Sequence, residues 1–142
     1  SVKQRNNLNR FMKKHRQYYD QALFEVKNGR KEGHWMWFIF PQLKGLGKSF
    51  KAKYYGLSGI EEAQDFLNNE YLGAHLKEIL DTLLNIPSDI ISFDFPDNLK
   101  LKSCMTLFAL AAPETKVFQK ILDKYFSGEY DEQTLLLLQN KE

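Results

Sequence analysis

One stretch decides how this chain folds: Gly33-His34-Trp35-Met36-Trp37-Phe38-Ile39-Phe40-Pro41-Gln42-Leu43, followed at once by Lys44-Gly45-Leu46-Gly47-Lys48-Ser49. It contains both tryptophans of the protein. Each large aromatic side chain removed from water contributes about 1.5–3 kcal/mol, so a run of this density must be buried or must bind something. Basic residues flank the run on both sides, so an apolar wall meets a cationic rim. We therefore look here first for function.

Length and composition predict one domain over residues 1–142, with a flexible N-terminus at residues 1–6. The 142 residues, with 43% hydrophobic and 27% charged side chains, are typical of a globular chain with a single core. Cys104 is the only cysteine, which excludes an intramolecular disulfide and favours a reducing compartment. The longest uncharged apolar runs are far shorter than the roughly 20 residues that cross a bilayer. We expect a cytoplasmic protein without membrane insertion.

The net charge of +2 conceals an asymmetry along the chain. Residues 1–53 contain 13 Lys and Arg against 3 Asp and Glu, whereas residues 54–142 contain 7 against 15. A basic third beside an acidic remainder indicates either an anion-binding face or two parts that attract each other when packed. The second interpretation is the simpler one, because composition alone fixes no geometry.

Apolar residues recur at helical spacing along most of the chain. The pattern predicts helices over residues 7–28 and 49–55, and further helices containing residues 60–67, 72–84, 101–110, 117–125 and 135–138. Ser58, Asp97 and Asp131 are positioned to cap three of them. The run 35–40 has no period to interpret, so it fits a buried strand or a short buried helix, and residues 90–95 form the other short strand-like stretch. The prediction is an all-α, compact multihelical domain of about six to seven helices.

The segment Gly45-Leu46-Gly47-Lys48-Ser49 is similar to the end of a phosphate-binding P-loop. The full motif requires a glycine where this chain has Gln42, and Pro41 interrupts the preceding strand that the motif needs. A looser anion site formed by Lys48, the Ser49 hydroxyl and backbone N–H groups stays open beside the simpler interpretation as a glycine turn.

Few other residues form a chemical pattern. The three histidines have no second ligand at metal spacing, so we expect no metal and no cofactor. His34, between a basic loop and two tryptophans, is the first candidate for proton transfer. Cys104 lies on an apolar stripe and is better explained as a small buried hydrophobe than as a nucleophile. Nucleic-acid binding is disfavoured, because the pI of about 8.5 is modest and no known motif is present.

The aromatic signature with Gly45-Leu46-Gly47-x-Ser49 closely resembles that of a family described as domain of unknown function 1810. Other matching pieces extend over nearly the whole chain: Tyr18 with Ala22-Leu23, Leu72-Gly73 with Leu76, Asp97 with Lys100-Leu101, Ser103-Cys104-Met105-Thr106-Leu107-Phe108, Tyr125-Phe126 with Gly128, and Asp131 with Thr134-Leu135. Cys104 departs from the pattern, since the family usually has two serines before Met-Thr-Leu-Phe.

The resemblance implies a compact multihelical domain of bacterial type, with no established activity. Some members carry the label calpastatin. Calpastatin-type inhibitors are disordered, whereas the composition and periodicity of this chain predict a packed domain.

Three functional hypotheses follow. In the leading one the protein binds an anionic small ligand, a nucleotide or ADP-ribose-like metabolite, beside residues 34–43, and whether it catalyses a reaction stays open. The candidate site residues are Arg30, Lys48 and Lys102 for phosphate, Gln42 and Ser49 for hydrogen bonding, Trp35 for ring stacking, and His34. In the second, a noncatalytic interaction module docks on an acidic protein or nucleic acid through Lys13, Lys14, Arg16 and Lys51. In the third, the aromatic run is entirely core.

Overall fold

The aromatic run forms a short helix, and longer helices surround it. The computed structural model describes residues 8–88 and 93–140. Within these residues there are eight helices and no strand: α1 (Asn9–Lys27), α2 (Met36–Ile39), α3 (Phe50–Tyr55), α4 (Ile60–Asn68), α5 (Glu70–Asn85), α6 (Asp97–Ala111), α7 (Val117–Phe126) and α8 (Glu132–Asn140). An isolated parallel bridge joins Leu43 to Leu57. The predicted all-α fold is confirmed, and the ambiguous run is a helix.

Helix α6 lies at the centre of the packing. Nine of its 15 residues are buried, and it contacts α4, α7 and α8. Its apolar residues surround most of the helix instead of forming one stripe, which is typical of a helix covered by neighbours on several sides. Helix α1 packs against α5 and α2. The cleft described below opens along the part of α6 that stays uncovered.

Of the three expected caps, Asp131 is present, and Ser49 is a further cap that was not among those expected. The Ser49 hydroxyl accepts a hydrogen bond from the backbone N–H of Ala52 at 3.1 Å and starts α3. The Asp131 carboxylate accepts one from the N–H of Thr134 at 3.0 Å, ahead of α8. Both satisfy a donor that the first turn of a helix leaves without a partner.

The other two expected caps, Ser58 and Asp97, are not formed. Gly59 takes the cap position of α4 without a side-chain bond, while the Glu62 carboxylate accepts from the N–H of Ser58 at 2.9 Å. The predicted box of Ser58 and Glu61 is therefore not formed, because the helix begins one residue later and Glu62 makes the bond to Ser58. Asp97 is not a cap, because α6 begins at Asp97 itself and its carboxylate pairs with Lys31 at 2.8 Å.

Two expectations concern residues outside the described part of the chain. The flexible N-terminus at residues 1–6 lies there, as do residues 90–92 of the second strand-like stretch. In residues 8–88 and 93–140, no helix has both the length and the apolar character that crossing a bilayer requires.

A buried hydrogen bond from His15 connects α1 to α2. Its side chain is 1% exposed, and its Nε2–H donates to the carbonyl oxygen of Phe38 at 2.9 Å. Its ring stacks on Tyr19 and has the His75 ring 5.9 Å away between centroids. Burial lowers the pKa of His15 to about 4; the hydrogen bond to Phe38 raises it and the neighbouring His75 lowers it. The imidazole is therefore neutral in the folded protein near pH 7.

This burial predicts a loss of stability in mild acid. Unfolded His15 binds its proton near pH 6.5 and folded His15 only near pH 4, so the unfolding free energy should fall as pH drops through that window. In His15→Gln, the amide can still donate to Phe38 but does not titrate, so the slope should shrink. His75, whose pKa burial also lowers, supplies the remainder. Urea unfolding between pH 7 and pH 4 measures how steeply the unfolding free energy depends on pH.

The matched control is His34→Gln, because His34 is exposed. This variant should keep the pH slope of the wild-type protein. An equal reduction in both variants would show that His15 is not the source.

Candidate functional site

A cleft of about 470 Å³ lies beside α2, between the segment that leads into α3 and the first half of α6. The start of α8 closes one side of it. Its walls are formed by Trp37, Gln42, Leu46, Gly47, Lys48, Ser49, Ala52, Pro96, Leu99, Lys100, Ser103, Asp131 and Gln133. Ligand pockets for small molecules commonly measure about 300–1,000 Å³, so this cleft has a suitable size.

The aromatic wall of the cleft is Trp37. Its indole is half-buried, and two lysine ammonium groups lie against the ring. The Nζ atom of Lys100 is 4.4 Å from the ring centroid, and that of Lys51 is 4.9 Å away. Such contacts are attractive because the ring face carries partial negative charge. Both lysines therefore contact the same indole, and Lys100 also lines the cleft.

The segment 42–49 that forms the opposite wall is held by backbone contacts. Lys44 N–H donates to the carbonyl of Leu57 at 2.7 Å, and Leu57 N–H donates to that of Gln42 at 2.8 Å. A Cβ on Gly47 would lie 2.7 Å from the Cβ of Ala52, so this glycine permits a close approach to α3. The glycine-rich motif is therefore a turn into α3 and not a P-loop.

The carboxylate of Asp97 forms ion pairs both with Lys100 in the cleft and with Lys31 in the loop before α2. The Asp97 carboxylate lies 2.8 Å from Lys31 Nζ through Oδ2 and 3.5 Å from Lys100 Nζ through Oδ1. Lys31 also covers the Trp35 ring, with Nζ 4.8 Å from its centroid. Asp97 thus holds Lys100 on the cleft side while it clamps the preceding loop to α6.

The position of α2 depends on the buried carboxylate of Glu25. Its Oε1 accepts hydrogen bonds from the N–H groups of Glu32 and Gly33 at 2.8 Å each and from Trp35 Nε1 at 2.9 Å. Its Oε2 accepts from Gln21 at 2.8 Å. Burial by itself raises the pKa of Glu25, but the four hydrogen bonds outweigh it and lower the pKa to about 2. One charged group therefore fixes the chain entering α2.

Gly33 is required at this point because of space. A Cβ there would lie 2.5 Å from Gln21 Nε2 and 2.8 Å from Trp35 Cδ1. Only a residue without a side chain lets the loop approach α1 closely enough to reach Glu25. This accounts physically for the glycine that opens the aromatic motif.

The structure brings together three of the seven residues proposed from the sequence. Gln42, Lys48 and Ser49 all line the cleft. Arg30 does not, since its side chain is 81% exposed and lies 3.7 Å from the exposed Glu32. His34 is exposed outside the cleft wall, so nothing places it for proton transfer there.

Trp35 and Lys102 also lie outside the cleft. Trp35 is 0% exposed and donates to Glu25, so it cannot stack on a ligand. Lys102 is half-buried on α6 and is not part of the wall. Residues two apart on a helix point in nearly opposite directions, so Trp37 and Lys100 line the cleft where Trp35 and Lys102 do not.

The residues missed from the sequence lie mainly on one face of α6. Pro96, Leu99, Lys100 and Ser103 recur at helical spacing along the side that faces the cleft. No sequence signal singled them out, because α6 also carries Lys102 and other polar residues, and the exposure of Leu99 is visible only in the structure. Asp131 and Gln133 were missed because the contact between α8 and this face depends on the tertiary fold.

Other chemistry considered from the sequence finds no support in the geometry. Cys104 is 0% exposed, and burial raises the pKa of its thiol. The Ser103 hydroxyl donates to the carbonyl of Leu99 at 3.0 Å. Within the described part of the chain, no group of three or more His, Cys, Asp or Glu side chains is arranged to hold a metal ion.

Comparison with known proteins assigns the family. The model of the protein family of unknown function DUF1810 matches residues 5–138. This chain belongs to the DUF1810 family. The crystal structure of the conserved hypothetical protein Rv1873 from Mycobacterium tuberculosis is similar to it, with 42% sequence identity and a TM-score of 0.90. The match covers 93% of this chain and 96% of that one. No curated protein shows significant similarity to the chain.

The hydrogen bonds to Glu25 predict a second loss of stability in acid, at lower pH than the loss caused by His15. Because the folded pKa is about 2 and the ordinary value is 4.5, the carboxylate stabilises the fold above pH 4.5. This contribution is lost as pH falls through 4.5 towards 2. Glu25→Ala, which leaves its donors without an acceptor, should lower the unfolding free energy at pH 7 by about 3 kcal/mol or more. Urea unfolding across pH 7 to 2.5 measures both effects.

The control is Glu32→Ala, a glutamate whose side chain is 67% exposed. It should change the unfolding free energy by less than about 0.5 kcal/mol. A Glu25→Ala protein as stable as this control would contradict the role assigned to the carboxylate.

Proposed function

We propose that this protein binds an anionic small ligand, a nucleotide or ADP-ribose-like metabolite, in the cleft beside Trp37. The observation that carries the proposal is the indole of Trp37 with the ammonium groups of Lys100 and Lys51 at 4.4 and 4.9 Å from its centroid. Asp97 already pairs with Lys100 at 3.5 Å, whereas Lys51 takes part in none of the ion pairs among the described residues. A bound anion would neutralise the charge of Lys51.

The side chains of the cleft divide the recognition of such a ligand between them. Lys48 and Lys100 supply positive charge for a phosphate, and Trp37 supplies an aromatic face for a ring. Gln42 and Ser49 supply hydrogen-bonding groups on the opposite wall. Each of these groups lies on a segment anchored by backbone bonds or by a helix.

Charge that is not already neutralised supports the same interpretation. Among ion pairs within the described residues, Lys31 and Lys100 share Asp97, and Arg10 pairs with Glu62. Neither Lys48 nor Lys51 takes part in any of these pairs. In the basic N-terminal third, Arg10 and Lys31 thus form internal ion pairs, whereas Lys48 lines the cleft.

We assign no reaction to this site. The proposal is limited to binding, since His34, the candidate for proton transfer from the sequence, lies outside the cleft wall. We also propose a cytoplasmic location, because a single cysteine is typical of proteins in a reducing compartment.

A second candidate function rests on helix α3. Phe50 and Tyr54 are 79% and 47% exposed, and their rings stack with centroids 5.7 Å apart. Lys51 and Lys53 lie on the same helix. Exposed aromatic rings among lysines can stack on single-stranded nucleic acid and neutralise its backbone. In this alternative the protein is an interaction module that uses its basic third.

Titration calorimetry with ADP, ADP-ribose, NAD and inorganic pyrophosphate tests the leading proposal. We expect at least one to bind, and Lys100→Gln to weaken it about tenfold or more, as losing a charged contact does. Trp37→Leu should weaken the probes that contain a ring but not pyrophosphate. Lys102→Gln, the same change two residues along α6, should bind like the wild-type protein.

Two outcomes would overturn the proposal. One is binding that Lys100→Gln and Lys102→Gln leave equally strong. The other is no binding to any of these probes together with salt-sensitive binding of a single-stranded oligonucleotide that Phe50→Ala abolishes. The second result would support the interaction module instead.

A further inference from the structure

Exposed apolar side chains are concentrated around the cleft. Among the described residues, eight large apolar side chains are exposed, and six of them lie on or next to the three helices that border the cleft. These six are Phe50 and Tyr54 on α3, Phe95 and Leu99 at the start of α6, and Tyr130 and Leu136 at α8. Single exposed apolar residues are ordinary, but a concentration of them around one feature is typical of a surface that another molecule covers.

A small ligand in the cleft would leave most of these side chains in water. Leu99 lines the cleft, but the other five residues lie outside its wall. A molecule that covers all six must reach from α3 across the cleft to α8. The surface therefore fits a macromolecule, in addition to whatever the cleft itself binds.

The two ends of this surface carry opposite charge. On the side of α3, residues 42–55 contain four lysines, all exposed, and no Asp or Glu. On the side of α8, residues 125–140 contain three acids and no Lys or Arg, and two of these acids, Glu129 and Glu132, are exposed. None of the four lysines and neither of these two acids is part of an ion pair among the described residues. Internal ion pairs therefore neutralise neither end.

Opposite charges on one surface decide which partner fits it. A polyanion that covered the whole surface, such as a nucleic acid, would be attracted at α3 and repelled by Glu129 and Glu132 at α8. A basic partner would be repelled at α3. A second copy of this chain satisfies both ends, because its acidic end can face the lysines while its own lysines face the acids. A two-fold dimer requires this kind of self-complementary surface, since each of its contacts occurs twice.

We propose that the surface around the cleft binds a second copy of this chain in a closed two-fold dimer. In it, α3 of one copy lies against α8 of its partner, and the start of α6 with Leu99 lies near the two-fold axis. Apolar side chains then form the centre of the interface and charged ones its edge, as is common in protein interfaces. The dimer encloses the cleft of each copy. The inference goes beyond the proposed function and requires no ligand.

Sedimentation equilibrium of the full chain without ligand tests the dimer. We expect the mass of two chains, and a dissociation constant that rises with salt because ions screen the charged contacts. Lys51→Glu combined with Lys53→Glu should give a monomer, and so should Glu129→Lys combined with Glu132→Lys, because each pair of changes brings like charges together twice. All four side chains are exposed, so both variants should stay folded, which circular dichroism checks.

Mixing the two variants gives the sharpest comparison. In a mixed dimer, the reversed charges on α3 of the first variant face the reversed charges at α8 of the second, and the two unchanged ends face each other. Both contacts are then attractive, so the mixture should form a dimer that neither variant forms alone. A chain with all four substitutions should dimerise with itself for the same reason.

Matched controls separate the interface from a general effect of charge or hydrophobicity. Lys77→Glu combined with Lys120→Glu reverses two exposed lysines on α5 and α7, outside the cleft wall, and should leave the dimer as it is in the wild-type protein. Leu136→Ser should weaken the dimer about tenfold or more. Phe24→Ser should not, because it removes an exposed apolar side chain from α1, which does not border the cleft.

Four results would overturn the inference. The first is a wild-type protein that stays monomeric at every concentration; if it also binds a single-stranded oligonucleotide, the interaction module gains support. The second is a mass that keeps growing with concentration, since this indicates a head-to-tail chain of copies and not a closed dimer. The third is a dimer that both charge reversals leave intact. The fourth is a pair of variants that stay monomeric when mixed. None of these measurements concerns the binding of ADP or pyrophosphate, which tests the proposed function separately.

Discussion

The charge of Glu25 is the constraint on which the rest of the structure depends. A carboxylate removed from water is costly unless hydrogen bonds replace its hydration, and here four donors do so. Three of them belong to the short loop and the first tryptophan before α2. The same bonds that keep the carboxylate ionised therefore fix where α2 begins and which way it turns. Without them, nothing as specific would place Trp37 at the surface and Trp35 inside.

The position of the helices could be predicted from the sequence because apolar spacing and caps are local. Helix α1 begins and ends within two residues of its expected bounds, and Ser49 and Asp131 act as caps because a side chain three residues away suffices. Asp97 has the same local pattern but a different role. Lys31 comes to it from far along the chain, and a charged partner at 2.8 Å outweighs a cap. Its role required the tertiary fold.

The site hypothesis from the sequence and the cleft share the segment 42–49, whereas Trp35 and Lys102 lie outside the cleft wall. A continuous apolar run carries no period, so nothing in the sequence distinguished Trp35 from Trp37. On α6, Lys100 and Lys102 point in nearly opposite directions, but the sequence does not show which of them faces the cleft. The part of the cleft formed by α8 could not be predicted, because only packing brings Asp131 next to a loop about 85 residues earlier in the chain. Composition leaves open whether the charge asymmetry marks an anion-binding face or two parts that attract each other, and the internal ion pairs support the second meaning. Arg10 and Lys31 pair with acids of the later part, while Lys48 stays at the cleft.

The unequal burial of the two tryptophans gives this protein an optical property of its own. Trp35 is sealed in the core and held by Glu25, so its emission belongs to a dry, rigid environment. Trp37 is half-exposed with lysine ammonium groups against its ring, an environment that any occupant of the cleft must alter. The native protein therefore contains both a fluorescent reporter of the cleft and, two residues before it, an internal reference for the integrity of the fold.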